Sequence, residues 1–219
     1  MKILDLYAGL GGTAKGIQKA LAEFAIDYEY FAVDNNHNIC IAHKQNNPSS
    51  QIICDNALNW LKYINKFDFI WASPPCQSHS KLQYIHKNRL IDWSLWHIID
   101  VLRRKNIPYV VENVLVYYNE PFEHTLMVGR HCFWSNIKLV PFEYKKCPKK
   151  LLKMTNKELI EYHSILPAKK TFRTDRQLKN CVHWSISYGI FKQFLQLKNK
   201  QTLDDYLKGD ENGCRNSSK

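Results

Sequence analysis

The stretch Lys2-Ile-Leu-Asp-Leu-Tyr-Ala-Gly-Leu-Gly-Gly12 decides the fold. Lys2–Ala8 is a short apolar run that ends in a glycine cluster, so it reads as a buried strand entering a tight turn. Thr13–Phe24 then places Ile17, Ala20, Leu21 and Phe24 at helical spacing. The same alternation continues outward. Tyr28–Val33 reads as a second strand followed by Asp34, Asn36–Asn46 as a short helix, and Gln51–Cys54 as a third strand. Phe67–Ser73 is a fourth strand that stops at Pro74-Pro75, Arg89–Arg103 a helix, and Tyr109–Val114 a fifth strand. Strands alternating with helices predict an α/β fold with a doubly wound, mainly parallel sheet. Ligands bind at the carboxyl ends of strands in such sheets. The residues standing there are Gly9–Gly12, Asp34, Asp55, Ser73–Gln77 and Glu112–Asn113.

Composition narrows the function classes. The 219 residues carry 31 Lys plus Arg against 20 Asp plus Glu, a formal charge of +11. At 45% hydrophobic and 13% aromatic the chain can build a core, which excludes general disorder. No apolar run approaches the ~18 residues of a membrane span. The N-terminus reads as a strand rather than a leader, so a reducing intracellular compartment is expected, cytoplasmic in a bacterial or phage setting and nuclear in a eukaryotic one. None of the seven cysteines forms a C-x-x-C pair, which argues against a metal site.

The charge is concentrated. Between Lys145 and Lys179 stand eleven basic residues and three acids, a net +8 in 35 residues. The block contains Lys145, Lys146, Lys149, Lys150, Lys169, Lys170, Arg173 and Arg176. Such a run suits a polyanion, although a solvated face has the same composition. Thr155-Asn-Lys-Glu158 is a capping-box pattern opening a short helix to about Ile165, and Ser185–Leu197 reads as an amphipathic helix.

Three motifs carry chemistry. The glycine loop lacks a Lys-Ser/Thr pair, which argues against nucleoside triphosphate hydrolysis; it is compatible with a tight turn alone or with a cofactor cradle. Asp34, about 20 residues further on, suits the hydroxyls of a ribose. Ser73-Pro-Pro-Cys-Gln-Ser78 places a thiol on a stiff loop at a strand end, whereas an inert cysteine would more naturally lie within the strand. Val110-Val-Glu-Asn-Val114 ends an apolar strand on a carboxylate, which is costly to bury unless well bonded or used.

Taken in this order, DLYAGLGG, SPPCQS and VENV resemble the signature motifs of the cytosine-C5 DNA methyltransferases. Gly129-Arg-His-Cys-Phe-Trp-Ser-Asn136 resembles the family's arginine-containing motif, and Asn180-Cys-Val182 its late return to the cofactor. The resemblance covers residues 2 to 197. It implies a Rossmann-like class I methyltransferase that uses S-adenosyl-L-methionine. Tyr7, Gly9, Gly11, Gly12, Asp34, Asn35, Asp55, Pro75 and Asn180 would bind that cofactor. Cys76 would attack C6 of a cytosine flipped out of double-stranded DNA, with Glu112 supporting the ring at N3 and Arg130 assisting. The thiolate must come from a lowered pKa or from late deprotonation. Gln77, Ser78 and the basic residues named above would meet the DNA.

The resemblance also implies a division into a catalytic core (1–136), a small basic recognition segment (137–179), a return to the core (180–208) and a flexible tail (209–219). The chain departs from the family in three ways. Cys132 stands where a second arginine is expected. Lys179 and Trp184 replace the usual glycine and proline around Asn180. Only 43 residues separate the arginine motif from the late motif, fewer than a separate recognition domain needs. A recognition partner chain or a restriction endonuclease is compatible with that reduction. The alternatives are a tRNA or RNA cytosine-C5 methyltransferase, and a non-catalytic DNA-binding protein on this scaffold. An amino-methyltransferase would need an aromatic residue where Cys76 follows the prolines.

Overall fold

The computed structural model describes residues 1–80, 90–168 and 174–213. The first five strands are β1 (Lys2–Leu6), β2 (Glu29–Asp34), β3 (Gln51–Cys54), β4 (Phe69–Ala72) and β5 (Tyr109–Val114). They interleave with the helices α1 (Gly12–Glu23), α2 (His37–Asn46) and α3 (Ser94–Arg103) and a 3-10 stretch at Ala57–Lys66. A hairpin follows, β6 (Leu126–Val128) and β7 (His131–Ser135), and then α4 (Asn156–His163), α5 (Thr174–Asn180) and α6 (Trp184–Gly213). The sheet order is β3-β2-β1-β4-β5-β7-β6. The first five strands pair in parallel, while β7 runs antiparallel between β5 and β6. This is a class I methyltransferase architecture of the Rossmann-like kind. Its connections diverge between β1 and β4, which opens a crevice at the carboxyl ends of the strands.

Both sheet faces are covered, so the central strands are apolar throughout rather than alternating. All four residues of β4 are buried. On one face Phe69 and Trp71 pack with Ile17 and Leu21 of α1 and Phe191 and Phe194 of α6. The rings of Phe69 and Phe191 meet edge to face at 4.8 Å. On the other face Ile70, Val111 and Trp134 pack with Leu95 and Ile99 of α3. A third cluster joins Leu10 and Ile39 to Leu159 of α4 and Leu178 of α5, so the basic segment is seated on the glycine-loop end of the sheet.

Local chemistry sets the helix starts. The Asn36 side chain accepts the Asn38 and Ile39 amides and caps α2. Thr155 and Glu158 form the expected capping box of α4. Helix α1 has no side-chain cap. The expected elements differ from the observed ones mainly at their ends. Helix α3 begins at Ser94, whose amide is bonded by Asp92, with Leu90–Trp93 preceding it as non-helical chain. Helix α6 continues to Gly213, beyond the apolar period that ends at Leu197, while residues 214–219 of the expected tail lie outside the described residues. The β6–β7 hairpin has no counterpart in the periodicity reading, because a three-residue strand is too short to show a period. Among the described residues no helix is long and apolar enough to cross a membrane.

One polar group lies inside this core. Asp5, in the middle of β1, is completely buried and accepts a 2.9 Å hydrogen bond from the Tyr30 hydroxyl, while its other oxygen has no partner. Burial raises its pKa to about 8, and the Asp34 charge adds to the rise while the Tyr30 bond opposes it. A carboxyl whose folded pKa lies above its unfolded value binds more protons folded than unfolded between the two values. Its stabilising contribution is complete below about pH 4 and is lost as pH rises towards 8. Unfolding by urea at pH 5 and pH 8 should therefore show a loss of stability in the parent chain that Asp5→Asn reduces. Parallel behaviour of the two proteins over that range would contradict the assignment.

Candidate active site

The carboxyl ends of β1, β2, β4 and β5 converge on one cavity of about 310 Å³. Tyr7, Gly9, Gly12, Asp34 and Asn35 line one side. Pro75, Cys76, Gln77, Glu112, Arg130 and Asn180 line the other. Eleven of the residues expected from sequence, drawn from segments as distant as 7 and 180, thus meet in one space.

The glycine-loop side is built from backbone. Tyr7 has φ 58, a left-handed conformation that a bulky residue adopts only where its surroundings hold it there. The Gly9 amide donates to Asp34 Oδ2 (3.1 Å) and the Asn36 amide to Asp34 Oδ1 (2.9 Å). Burial raises the Asp34 pKa and these two bonds restrain it. Each oxygen keeps lone-pair capacity for a further donor. Behind the loop, His43 is buried and donates from Nδ1 to Gly9 O at 3.0 Å. Burial lowers its pKa to about 4, so it is a neutral prop. Gly12 is required by close approach: a Cβ there would lie 2.1 Å from Val182 O. Gly11 is not part of the lining; it faces Asn47, whose amide donates to Gly11 O at 3.1 Å. Asp55 is outside the lining too. Its carboxylate accepts the Asn56 amide (2.7 Å), Asn59 Nδ2 (3.0 Å) and Trp60 Nε1 (3.1 Å), and its own amide donates to Asp34 O.

The thiol side is held at several points. Asn113 Nδ2 donates to Pro74 O at 2.9 Å, and the His79 and Ser80 amides both donate to Cys76 O at 3.1 Å. Ser78 is buried, and its hydroxyl accepts the Asp92 amide at 2.9 Å. His79 is bonded through Nδ1 to the Tyr118 hydroxyl at 2.5 Å. Cys76 itself is partly buried. Burial first, and then the Glu112 charge, raise its pKa, while Arg130 and Arg176 oppose the rise. The resting group is therefore a thiol.

Glu112 is buried, and its Oε1 lies 2.5 Å from Nδ1 of His131. Antiparallel pairing of β5 with β7 sets Val114 opposite His131, which puts Glu112 and His131 on one face as diagonal neighbours. Sequence reasoning passed over His131, although it follows Arg130 directly. Arg130 occupies the two-residue turn of the hairpin, and its guanidinium donates to Lys179 O. Cys132, opposite Asn113, belongs to the core cluster of Val111 and Trp134 on the other sheet face. Burial raises its pKa to about 11. An arginine at that position would enter an apolar core.

The basic segment is divided. Lys146, Lys149 and Lys150 line a second cavity that shares Arg130, His131 and Cys181 with the first. Lys149 is paired with Glu158 at 2.5 Å, and the Lys145 ammonium lies 5.7 Å from the Tyr162 ring centre. Lys169, Lys170 and Arg173 lie outside the described residues. Gln177 also lines the first cavity, a residue that its sequence position did not reveal.

Comparison with known proteins fits this arrangement. No curated protein matches the chain. Among solved structures, the Entamoeba histolytica methyltransferase EhMeth is similar in fold, with 15% identity, a TM-score of 0.51, and coverage of 90% of this chain and 97% of that one. A Spodoptera frugiperda DNMT2 variant shares 29% identity over 52% of this chain and 35% of its own, with a TM-score of 0.39. A putative DNA modification methyltransferase from an Escherichia coli prophage shares 21% over 55% and 34%, with a TM-score of 0.37. The chain spans about a third of the length of these last two proteins. The profile of the C-5 cytosine-specific DNA methylases matches residues 1–128, the span that holds the glycine loop, Cys76 and Glu112. The chain therefore belongs to the C-5 cytosine-specific DNA methylase family, which acts on nucleic-acid cytosine and implies an S-adenosylmethionine cofactor.

Proposed function

We propose that this chain methylates C5 of cytosine in DNA through a covalent bond between Cys76 and C6 of the base. The observation that carries the proposal is that Cys76 and Glu112 line the same cavity as Asp34 and the glycine loop. Tyr7, Gly9, Asp34, Asn35, Pro75 and Asn180 are suited to hold S-adenosylmethionine, because the free lone pairs of Asp34 match ribose hydroxyls. That cofactor, when bound, supplies an electrophilic methyl group. Gly11 and Asp55 would act from behind the pocket, through Asn47 and the Asp34 backbone.

C5 of cytosine is too weak a nucleophile until a group adds at C6. Cys76 gives up its S–H proton to solvent water as it forms the S–C6 bond, the C5–C6 double bond opens, and electron density moves to C5 and towards N3. Glu112 faces N3 and shares a proton with it, so negative charge does not build up on the ring. His131 holds the Glu112 carboxyl in place. After C5 has been alkylated, its proton passes to solvent water, the C5–C6 double bond re-forms, and the Cys76 thiolate leaves. The base is inaccessible in a duplex and must be extruded. The exposed lysines of residues 145–150 form the cationic approach for phosphates, Lys169, Lys170 and Arg173 outside the described residues are further contacts to test, and the 43-residue segment serves as the recognition element. Gln77 faces the entering base, and Ser78 fixes the loop.

Four outcomes test this reading. Cys76→Ser should lose turnover by at least about a thousandfold, yet retain cofactor binding by calorimetry. Duplex DNA containing 5-fluorocytosine should form a covalent complex with the parent chain and none with the variant, and a tRNA arm distinguishes the nucleic acid. His131→Ala should lower kcat by about 10- to 100-fold with little change in KM, and should shift the pH–rate profile; His131→Gln should restore part of the rate. Binding to duplex DNA should weaken steeply between 50 and 200 mM salt, and a flat response would remove the lysine segment from the interface.

A further inference from the structure

A second cavity, of about 350 Å³, adjoins the first. It lies between the turn of the β6–β7 hairpin, the basic segment, the end of α4 and the start of α6, and Arg130 and His131 belong to the walls of both. The mechanism above makes no use of it.

Its walls combine apolar groups, from Tyr144, Tyr162, Val128 and Ile186, with the cationic Arg130 and Lys149. His163, at 1% exposure, stands in the same wall with neither ring nitrogen bonded. Its neighbour His183, 5.8 Å away ring to ring, is fully bonded: Nδ1 accepts the Ser185 amide, and Nε2 donates to Tyr162 O at 2.9 Å. A buried polar ring without partners is costly, and native proteins tolerate it mainly where a ligand or water completes it. Burial and the surrounding cations keep His163 neutral, so it offers one donor and one acceptor. That pair matches the edge of a nucleobase. The aromatic walls suit a flat base, and the cations at the cavity suit the phosphate attached to it. The exposed Lys146 and Lys150 form the rim, where a phosphate stays hydrated.

We propose that this cavity receives a second nucleobase of the bound strand, a neighbour of the target cytosine, with His163 reading its edge and Lys146 and Lys150 meeting its phosphate. This rests on the nucleic-acid reading above and deepens it. A chain with only 43 residues between its late motifs would then select sequence by a pocket rather than by a separate domain.

The test uses the full chain and a duplex pool in which a single 5-fluorocytosine is flanked by randomised positions. Bound and covalently trapped duplexes are sequenced separately. The parent chain should enrich one base at a flanking position by about 5- to 100-fold, the range of one hydrogen-bonded base-edge contact. Leu151→Trp, which fills the cavity from its wall, and His163→Leu, which removes the reading group, should abolish that enrichment while trapping persists. His163→Gln should alter the preferred base. The proposal is overturned if the variants keep the parent's preference or if no flanking position is enriched. It is also overturned if millimolar mononucleotides bind and leave the duplex selection untouched, which would make this a free-nucleotide site. Enrichment among bound duplexes without trapping would uphold the pocket and reject the Cys76 chemistry; trapping without enrichment would do the reverse.

Discussion

The hydrogen bond from the Asn113 amide to Pro74 O, 2.9 Å long and buried, joins the two halves of the chemistry. Parallel pairing of β4 with β5 sets Ala72 beside Val111, so each strand ends at the same level. The bond then ties the loop carrying Cys76 to the strand carrying Glu112. A buried amide–carbonyl bond is worth about 1 kcal/mol net, but leaving one partner unsatisfied costs more, so the loop has little freedom to drift. The separation of the Cys76 thiol and the Glu112 carboxyl is in this way set by backbone and sheet register, and the side chains need little individual adjustment.

Around that axis, histidines carry much of the structural work. His43 supports the glycine loop, His79 fastens the Cys76 loop to Tyr118, and His131 holds Glu112. The first two are uncharged as a result of burial. A neutral imidazole can make its bond without bringing a charge into the core, which an arginine or lysine cannot do. The departure at Cys132 has the same logic: its position on β7 points into the apolar cluster with Trp134, while the polar partner of Glu112 comes from the neighbouring residue on the opposite face.

The basic segment is part of the fold rather than an appendage. Leu159 and Leu178 pack with Leu10 of the glycine loop, so the lysines are carried on a rigid seat next to the cavity. Substrate approach and cofactor pocket thus share one set of supports, and a small chain can manage with one continuous body.

The sequence by itself determined the five parallel strands, the glycine loop, and the placing of Asp34, Cys76 and Glu112 at strand ends, because uninterrupted apolar runs between turn residues have few other solutions. It also determined the capping box of α4, which depends on four adjacent residues. Only the tertiary structure decided the β6–β7 hairpin, since the three-residue β6 has no period and exists by pairing with β7, which itself pairs with β5. Only the tertiary structure put His131 on Glu112, Gly11 against Asn47, and Asp55 in its own turn, because those partners are 19, 36 and 1 to 5 residues apart and are chosen by register and packing. The second cavity is of the same kind. Its walls come from the hairpin, the basic segment, α4 and α6, and nothing local to any one of them says that His163 is left without a partner.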